Sequence, residues 1–165
     1  MEINIRLATL SDIDSVHSIW VELDQWLRSI GPPMWFPDEI TRETAERYVD
    51  RRVLFVAEQS DSICGTFTYE VEDKLFWPEI PYGHSGYVHR LAVPRAYAGT
   101  GLSGSMLNWV IAQARLEGRQ AIRLDCGAER EKLRKVYETY GFQLVDVKQV
   151  GRFYSALYQF PLTES

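Results

Sequence analysis

Tyr87-Val88-His89-Arg90-Leu91-Ala92-Val93-Pro94-Arg95-Ala96-Tyr97-Ala98-Gly99-Thr100-Gly101-Leu102-Ser103-Gly104 runs from an apolar strand through a proline-broken turn into glycines that open a helix. That order builds an anion cradle. The strand delivers the chain, Gly99, Gly101 and Gly104 let backbone approach a ligand, and the first free N–H groups of the helix point at what is bound. Beyond the glycines, Leu102, Met106, Val110 and Ala114 recur on one helical face, and Gly118 supplies the expected C-terminal stop. A plain strand-to-helix connection also uses such a turn, so the rest of the chain must decide.

Two fingerprints are excluded first. Gly99-Thr100-Gly101-Leu102-Ser103-Gly104 spells G-x-G-x-x-G, and Asp125 follows Gly104 by 21 residues, which meets the spacing of a dinucleotide site. The chain order argues against it, because strand, helix, helix and three strands come before the turn, leaving it after an antiparallel meander. The phosphate loop of nucleotide hydrolases needs Gly-Lys-Ser or Gly-Lys-Thr, and neither follows.

The flanking segments read as one mixed α/β domain over residues 1–165, without repeats or low-complexity linkers. Ile3 to Leu7 alternates as a first strand. Thr9, Ser11 and Asp12 offer helix caps, and Ile13, Val16, Trp20, Leu23 and Leu27 recur at helical spacing before Gly31-Pro32-Pro33. Thr41 opens a second, shorter helix. Val53 to Ala57, Ile63 to Glu70 and Tyr87 to Val93 form three consecutive strands expected to pair antiparallel. After the long helix come a strand at Ala121 to Asp125, a helix from Glu131 to Tyr140, and closing strands at Phe142 to Val150 and Phe153 to Phe160.

Three segments together carry a resemblance. Leu91-Ala92-Val93-Pro94, then Ala98-Gly99-Thr100-Gly101-Leu102-Ser103, then Tyr137-Glu138-Thr139-Tyr140-Gly141-Phe142 stand in the order and spacing of the acyl-CoA core of the GNAT superfamily of N-acetyltransferases, which this chain resembles over most of its length. The resemblance implies a mostly antiparallel mixed sheet splayed between its fourth and fifth strands and flanked by about four helices. It also implies acetyl-CoA, or another acyl-CoA, as co-substrate. Leu91, Ala92 and Val93 would then pair with pantetheine as an added strand does, and Ala98, Gly99, Thr100, Gly101, Leu102, Ser103 and Gly104 would hold the pyrophosphate. Ala98 stands where the family usually has Arg or Gln, and Ser103 where it has Gly or Ala; Arg95 is a candidate to replace the missing cation. Arg130 takes the place of a common Asn.

Acyl transfer needs a base for the ammonium, a donor for the oxyanion and an acid for the departing thiolate. By its position in the motif Tyr137 is implied as the acid. His89, on the fourth strand, is the candidate base, with Glu70, Glu72, His84 and Tyr87 as further candidates and ordered water as another route. The oxyanion donor is a strand N–H, from Leu91 or Val93, and no spacing suggests a covalent acyl-enzyme. His17, His84 and His89 lack recognised metal spacing, so no metal is expected. Cys64 and Cys126 fall in strand patterns and read as buried free thiols.

The net charge of −5 disfavours nucleic acid as the default partner and suits a cationic amine. No apolar run reaches the roughly 20 residues of a membrane span, and the start lacks a signal peptide, so a cytoplasmic protein is expected. In the family the first helix with its following loop, and the connection before the fourth strand, wall the acceptor pocket; this assigns Trp26, Trp35, Phe36 and Trp77 to a small-molecule amine, with Asp24, Asp38, Glu39 or Glu79 for charge. The same rings serve equally as core or as homodimer contacts. Two other readings stay open: the same fold drawing its acyl group from a charged tRNA or carrier protein, and a non-catalytic acyl-CoA sensor.

Overall fold

Asn4–Leu7 (β1) runs antiparallel to Leu54–Gln59 (β2), with Asn4 opposite Glu58 and Leu7 opposite Phe55, in a computed structural model that describes residues 2–162. β2 turns through Ser60 and Asp61, both in the left-handed region, into Ser62–Glu70 (β3); two positive φ angles are what a tight hairpin needs to match the strand twist. Between β1 and β2 lie the helices Ile13–Ile30 (α1) and Arg42–Asp50 (α2), the second capped where the Thr41 hydroxyl accepts the Thr44 N–H at 3.1 Å. Ser85–Ala92 (β4), Leu102–Leu116 (α3), Ala121–Gly127 (β5), Glu131–Tyr140 (α4), Gln143–Val150 (β6) and Phe153–Pro161 (β7) follow. The seven strands take the order β1-β2-β3-β4-β5-β7-β6.

β4 and β5 are a parallel pair in an otherwise antiparallel set of recorded registers, matched only from Ser85↔Ala121 to Tyr87↔Arg123 although both strands run on. β4 starts two residues before the Tyr87 expected from sequence, and β5 extends past Asp125 to Gly127. Ser85, Gly86 and Gly127 have weak strand preference of their own, and partners recruit them: β5 on one side of β4, and Ser155 of β7 opposite Gly127.

The chain divides into two compact units, the first comprising the described residues to Tyr69 with Arg90–Leu107, the second Glu70–His89 with the described residues from Asn108 onward. In the first, Val16, Ile19 and Trp20 of α1 pack with Leu54 and Val56 of β2, Trp35, Ile40, Ala45 and Ala92. In the second, Phe76, Trp77, Tyr87 and Leu157 form a cluster. No helix among the described residues is long and apolar enough to cross a membrane.

The start of α1 is held electrostatically. Asp12 is buried, its Oδ2 accepts the Thr9 N–H at 2.7 Å, and the Arg6 guanidinium donates to both its oxygens at 2.8 and 3.0 Å while also donating to Glu58. The Arg6 hydrogen bond is the largest cause holding the Asp12 carboxyl below the usual range; burial opposes it. Because the folded-state pKa is depressed, the stabilisation is present at neutral pH and is lost as pH falls through the acidic carboxylate range. Arg6→Ala is therefore expected to cost about 2 kcal/mol at pH 7, less than for a fully buried pair because Arg6 is partly exposed, and less again near pH 3. Urea unfolding at the two pH values checks it; an equal cost at both would exclude the ion pair as the cause.

Candidate active site

β4 contains a residue that a strand does not normally tolerate. Arg90 has φ +52, and a non-glycine side chain in that region costs of order 1–3 kcal/mol unless its surroundings hold it. Here two sets of bonds do so. The Trp20 indole donates to the Thr66 hydroxyl at 3.0 Å, and that hydroxyl donates to the Arg90 carbonyl at 3.2 Å. The Arg90 guanidinium reaches the Glu39 carbonyl at 3.2 Å and its carboxylate at 3.1 Å, with both side chains largely buried. A left-handed residue inside a strand rotates the next peptide out of the ladder direction, a device found beside active sites. Sequence analysis missed Arg90 and Thr66 and offered Glu39 only as a charge for the acceptor, since nothing in a one-dimensional pattern marks a positive φ at an arginine.

Leu91, Ala92 and Val93 follow, then the turn. Gly99 and Gly101 have φ of +75 and +83, and a Cβ on Gly99, Gly101 or Gly104 would meet nothing within 4 Å. Ser105 donates its N–H to the Gly101 carbonyl at 3.1 Å, which leaves the N–H groups of Leu102, Ser103 and Gly104 ahead of the helical ladder. Thr100 folds its hydroxyl back to the Tyr97 carbonyl at 2.6 Å. An open glycine rim at the positive end of a 15-residue helix is suited to a phosphate-bearing ligand. Arg95 is spent elsewhere: its guanidinium stacks on Trp26 at 3.8 Å, and its N–H donates to Glu22 at 3.2 Å, tying the turn to α1.

In the second unit His89 sits between two carboxylates. Its Nε2 is 2.9 Å from Asp73 Oδ2, and its Nδ1 is 3.4 Å from Asp125 Oδ1. Asp73 is itself fixed, because Oδ1 accepts the N–H groups of Leu75 and Phe76 at 3.1 and 3.0 Å. Burial alone would raise its carboxyl; the hydrogen bond and charge of His89, then those two N–H groups, outweigh burial and hold it below the usual range. Nε2 is the nitrogen placed to donate to the ionised Asp73, and Nδ1 faces Asp125. Asp73, His89 and Asp125 bring three ligand-type atoms within 4.8 Å of one another. Asp73 was not among the sequence candidates, for it lies in a connection with no periodicity.

Tyr137, on α4, is buried with its ring 5.8 Å from Phe142 and 6.2 Å from Tyr158. Burial first, then the charges of Cys126 and Asp125, push its phenol well above the ordinary tyrosine value, so it remains a proton donor at all physiological pH. Cys64 and Cys126 are buried and free, and burial pushes the Cys126 thiol up to about 12, which leaves it inert as a nucleophile. Of the aromatic residues assigned to the acceptor, Trp35 and Trp77 are 7% and 2% exposed within the two apolar clusters, Trp26 is half-buried under Arg95, and Phe36 is 37% exposed.

Residues 20–142 match the model of the acetyltransferase (GNAT) family. The uncharacterized N-acetyltransferase YesJ of Bacillus subtilis strain 168 is 26% identical over 152 residues, covering 87% of this chain and 83% of YesJ. A GNAT-family acetyltransferase from Listeria monocytogenes superposes with a TM-score of 0.81 at 24% identity, over 98% of this chain and 96% of its own. The Salmonella typhimurium acetyltransferase YncA, solved with its cofactor acetyl-CoA, superposes at 0.74 with 15% identity, over 100% of this chain and 96% of its own.

Gly104 separates folding from binding. It lies in the first turn of α3 with open space at its Cβ, so Gly104→Ala is expected to stabilise the fold by about 0.5–1 kcal/mol. If phosphate oxygens approach that backbone, the same change weakens acetyl-CoA by about tenfold or more. Thermal unfolding and calorimetric titration check both; unchanged affinity would remove Gly104 from the cradle.

Proposed function

This chain belongs to the GNAT acetyltransferase family, and on that premise we propose that it transfers an acetyl group from acetyl-CoA to the primary amine of a small molecule. The observation that supports the reading is the Asp73–His89 hydrogen bond, which engages Nε2 and leaves Nδ1, on the side of Asp125, as the nitrogen assigned as base, on the same strand that leads into Leu91, Ala92 and Val93. The main-chain groups of Leu91, Ala92 and Val93 bind pantetheine, and residues from Ala98 to Gly104 take the pyrophosphate on backbone N–H groups. The amine gives up its proton to His89 Nδ1, directly or through water, and attacks the thioester carbonyl. The oxyanion of the tetrahedral intermediate is met by a main-chain N–H of Leu91 or Val93.

When the carbon–sulfur bond breaks, Tyr137 donates a hydrogen bond to the thiolate. Its raised pKa means the proton is held tightly, so the hydroxyl stabilises the departing thiolate by a hydrogen bond and keeps its own proton, and the thiolate takes its proton from water. Of the aromatic residues assigned to the acceptor, Phe36 and Trp26 are the accessible surfaces of the first unit, with Trp35 in its core, and Trp77 belongs to the second.

Release of CoA thiol from acetyl-CoA with a panel of primary amines tests the proposal, and saturable acetyl-CoA binding without turnover of any amine would favour the sensor. Tyr137→Phe retains the ring packing and is expected to lower kcat by about a hundredfold with acetyl-CoA affinity unchanged; an undiminished rate would remove Tyr137 from the chemistry. Dialysis against EDTA is expected to leave turnover intact, since the 2.9 Å hydrogen bond accounts for the approach of His89 to Asp73. Loss of activity restored by one divalent ion would reassign the trio with Asp125 to metal binding.

A further inference from the structure

Arg123 points to the chemistry of the acceptor. It is 8% exposed on β5, and no carboxylate among the described residues lies at ion-pair distance. Its guanidinium is met only by neutral acceptors, with Nε donating to the Ser85 hydroxyl at 3.0 Å and Nη1 to the Gln159 side-chain carbonyl at 3.2 Å. The face of the Trp77 ring lies 4.6 Å from the guanidinium carbon. Burial lowers the Arg123 pKa from its ordinary value, and the electrostatic influence of Tyr87 and then of Glu79, an exposed residue, opposes that without reversing it.

Two further donors stand beside it. Trp77 is 2% exposed and its Nε1 has no hydrogen-bond partner; Tyr87 is 1% exposed, and its hydroxyl comes near Ser85 outside hydrogen-bond geometry. Ser85 Oγ is already engaged by Arg123 and by His84 Nδ1 at 2.8 Å. A buried cation without a counter-ion and buried N–H and O–H groups without acceptors are each costly, and they favour the same occupant, an oxyanion. A planar carboxylate matches the fork of a guanidinium.

We propose that Arg123, Trp77 and Tyr87 form a carboxylate subsite, so that the acceptor is a small primary amine carrying a carboxylate a few atoms from its nitrogen. This rests on the acetyltransferase reading for the location of the amine. Tyr87 is opposite Arg123 in the register, and Tyr87 and His89 on β4, like Arg123 and Asp125 on β5, are two residues apart and share a sheet face. Strand geometry puts the two rows about 7 Å apart, a separation that a short aliphatic chain spans. An amine placed at His89 thus brings a carboxylate at the other end of the molecule to Arg123. Trp77 covers the apolar stem together with Phe76 and Leu157.

The test is calorimetric titration of the full chain with 5-aminopentanoate and with pentylamine, its carboxylate-free counterpart. The expected result is binding of the amino acid at least about tenfold tighter than the amine, with the difference lost in Arg123→Gln. Trp77→Phe keeps an aromatic ring and removes the indole N–H; it should weaken the amino acid about three- to tenfold more than it weakens pentylamine, which reports only the smaller stem contact, and it keeps the proposal testable if Arg123→Gln does not fold. Equal affinity for the two compounds, no binding of 5-aminopentanoate, or full discrimination in a folded variant would overturn the subsite. Thiol release measured on the same compounds reports separately: binding through Arg123 without turnover would refute the acetyltransferase reading and leave the subsite standing.

Discussion

The left-handed backbone at Arg90 is the constraint around which the candidate site is arranged. It sits in β4 between His89 and Leu91, so the strand changes its twist where a proposed base ends and a proposed cofactor-pairing segment begins. Such a conformation persists only when it is held from several sides. Trp20, buried in α1, works through Thr66 of β3 on the Arg90 carbonyl, while Glu39 holds the guanidinium. The aromatic core of the first unit therefore does more than exclude water. The indole N–H of Trp20 is the far end of a polar chain that fixes the geometry of a strand.

The second unit pairs its charges less evenly. On one face of β4 and β5, His89 has two carboxylates and Arg123 has none, although Asp125 and Arg123 are only two residues apart. A fold built for stability alone would pair the surplus of one with the deficit of the other. Keeping them apart leaves an anionic end around His89 and a cationic end around Arg123, a polarity suited to a molecule with an ammonium at one end and a carboxylate at the other. Tyr137 belongs to the opposite style of site, a buried phenol kept neutral by its surroundings and so available as a donor.

Most of the architecture was legible from residue order. Helical spacing through Ile13, Val16 and Trp20, the Thr41 cap, the glycines at 99 and 101 and the Tyr137–Phe142 motif all describe local requirements, and the helices lie where those signals place them. Strand ends were less legible. Ser85, Gly86 and Gly127 join their strands because neighbours offer hydrogen bonds, which no propensity at those positions announces.

The sequence by itself determined the family, the order of elements and the glycine turn before α3, because each depends on residues close together in the chain whose spacing is set by helix and turn geometry. Only tertiary structure decided which side chains meet. Asp73 reaches His89 across 16 positions, Thr66 reaches Arg90 across 24, and Arg123 has no carboxylate among the described residues at ion-pair distance. Those facts come from sheet register and burial, where a charge is priced by its three-dimensional surroundings rather than by its neighbours in sequence.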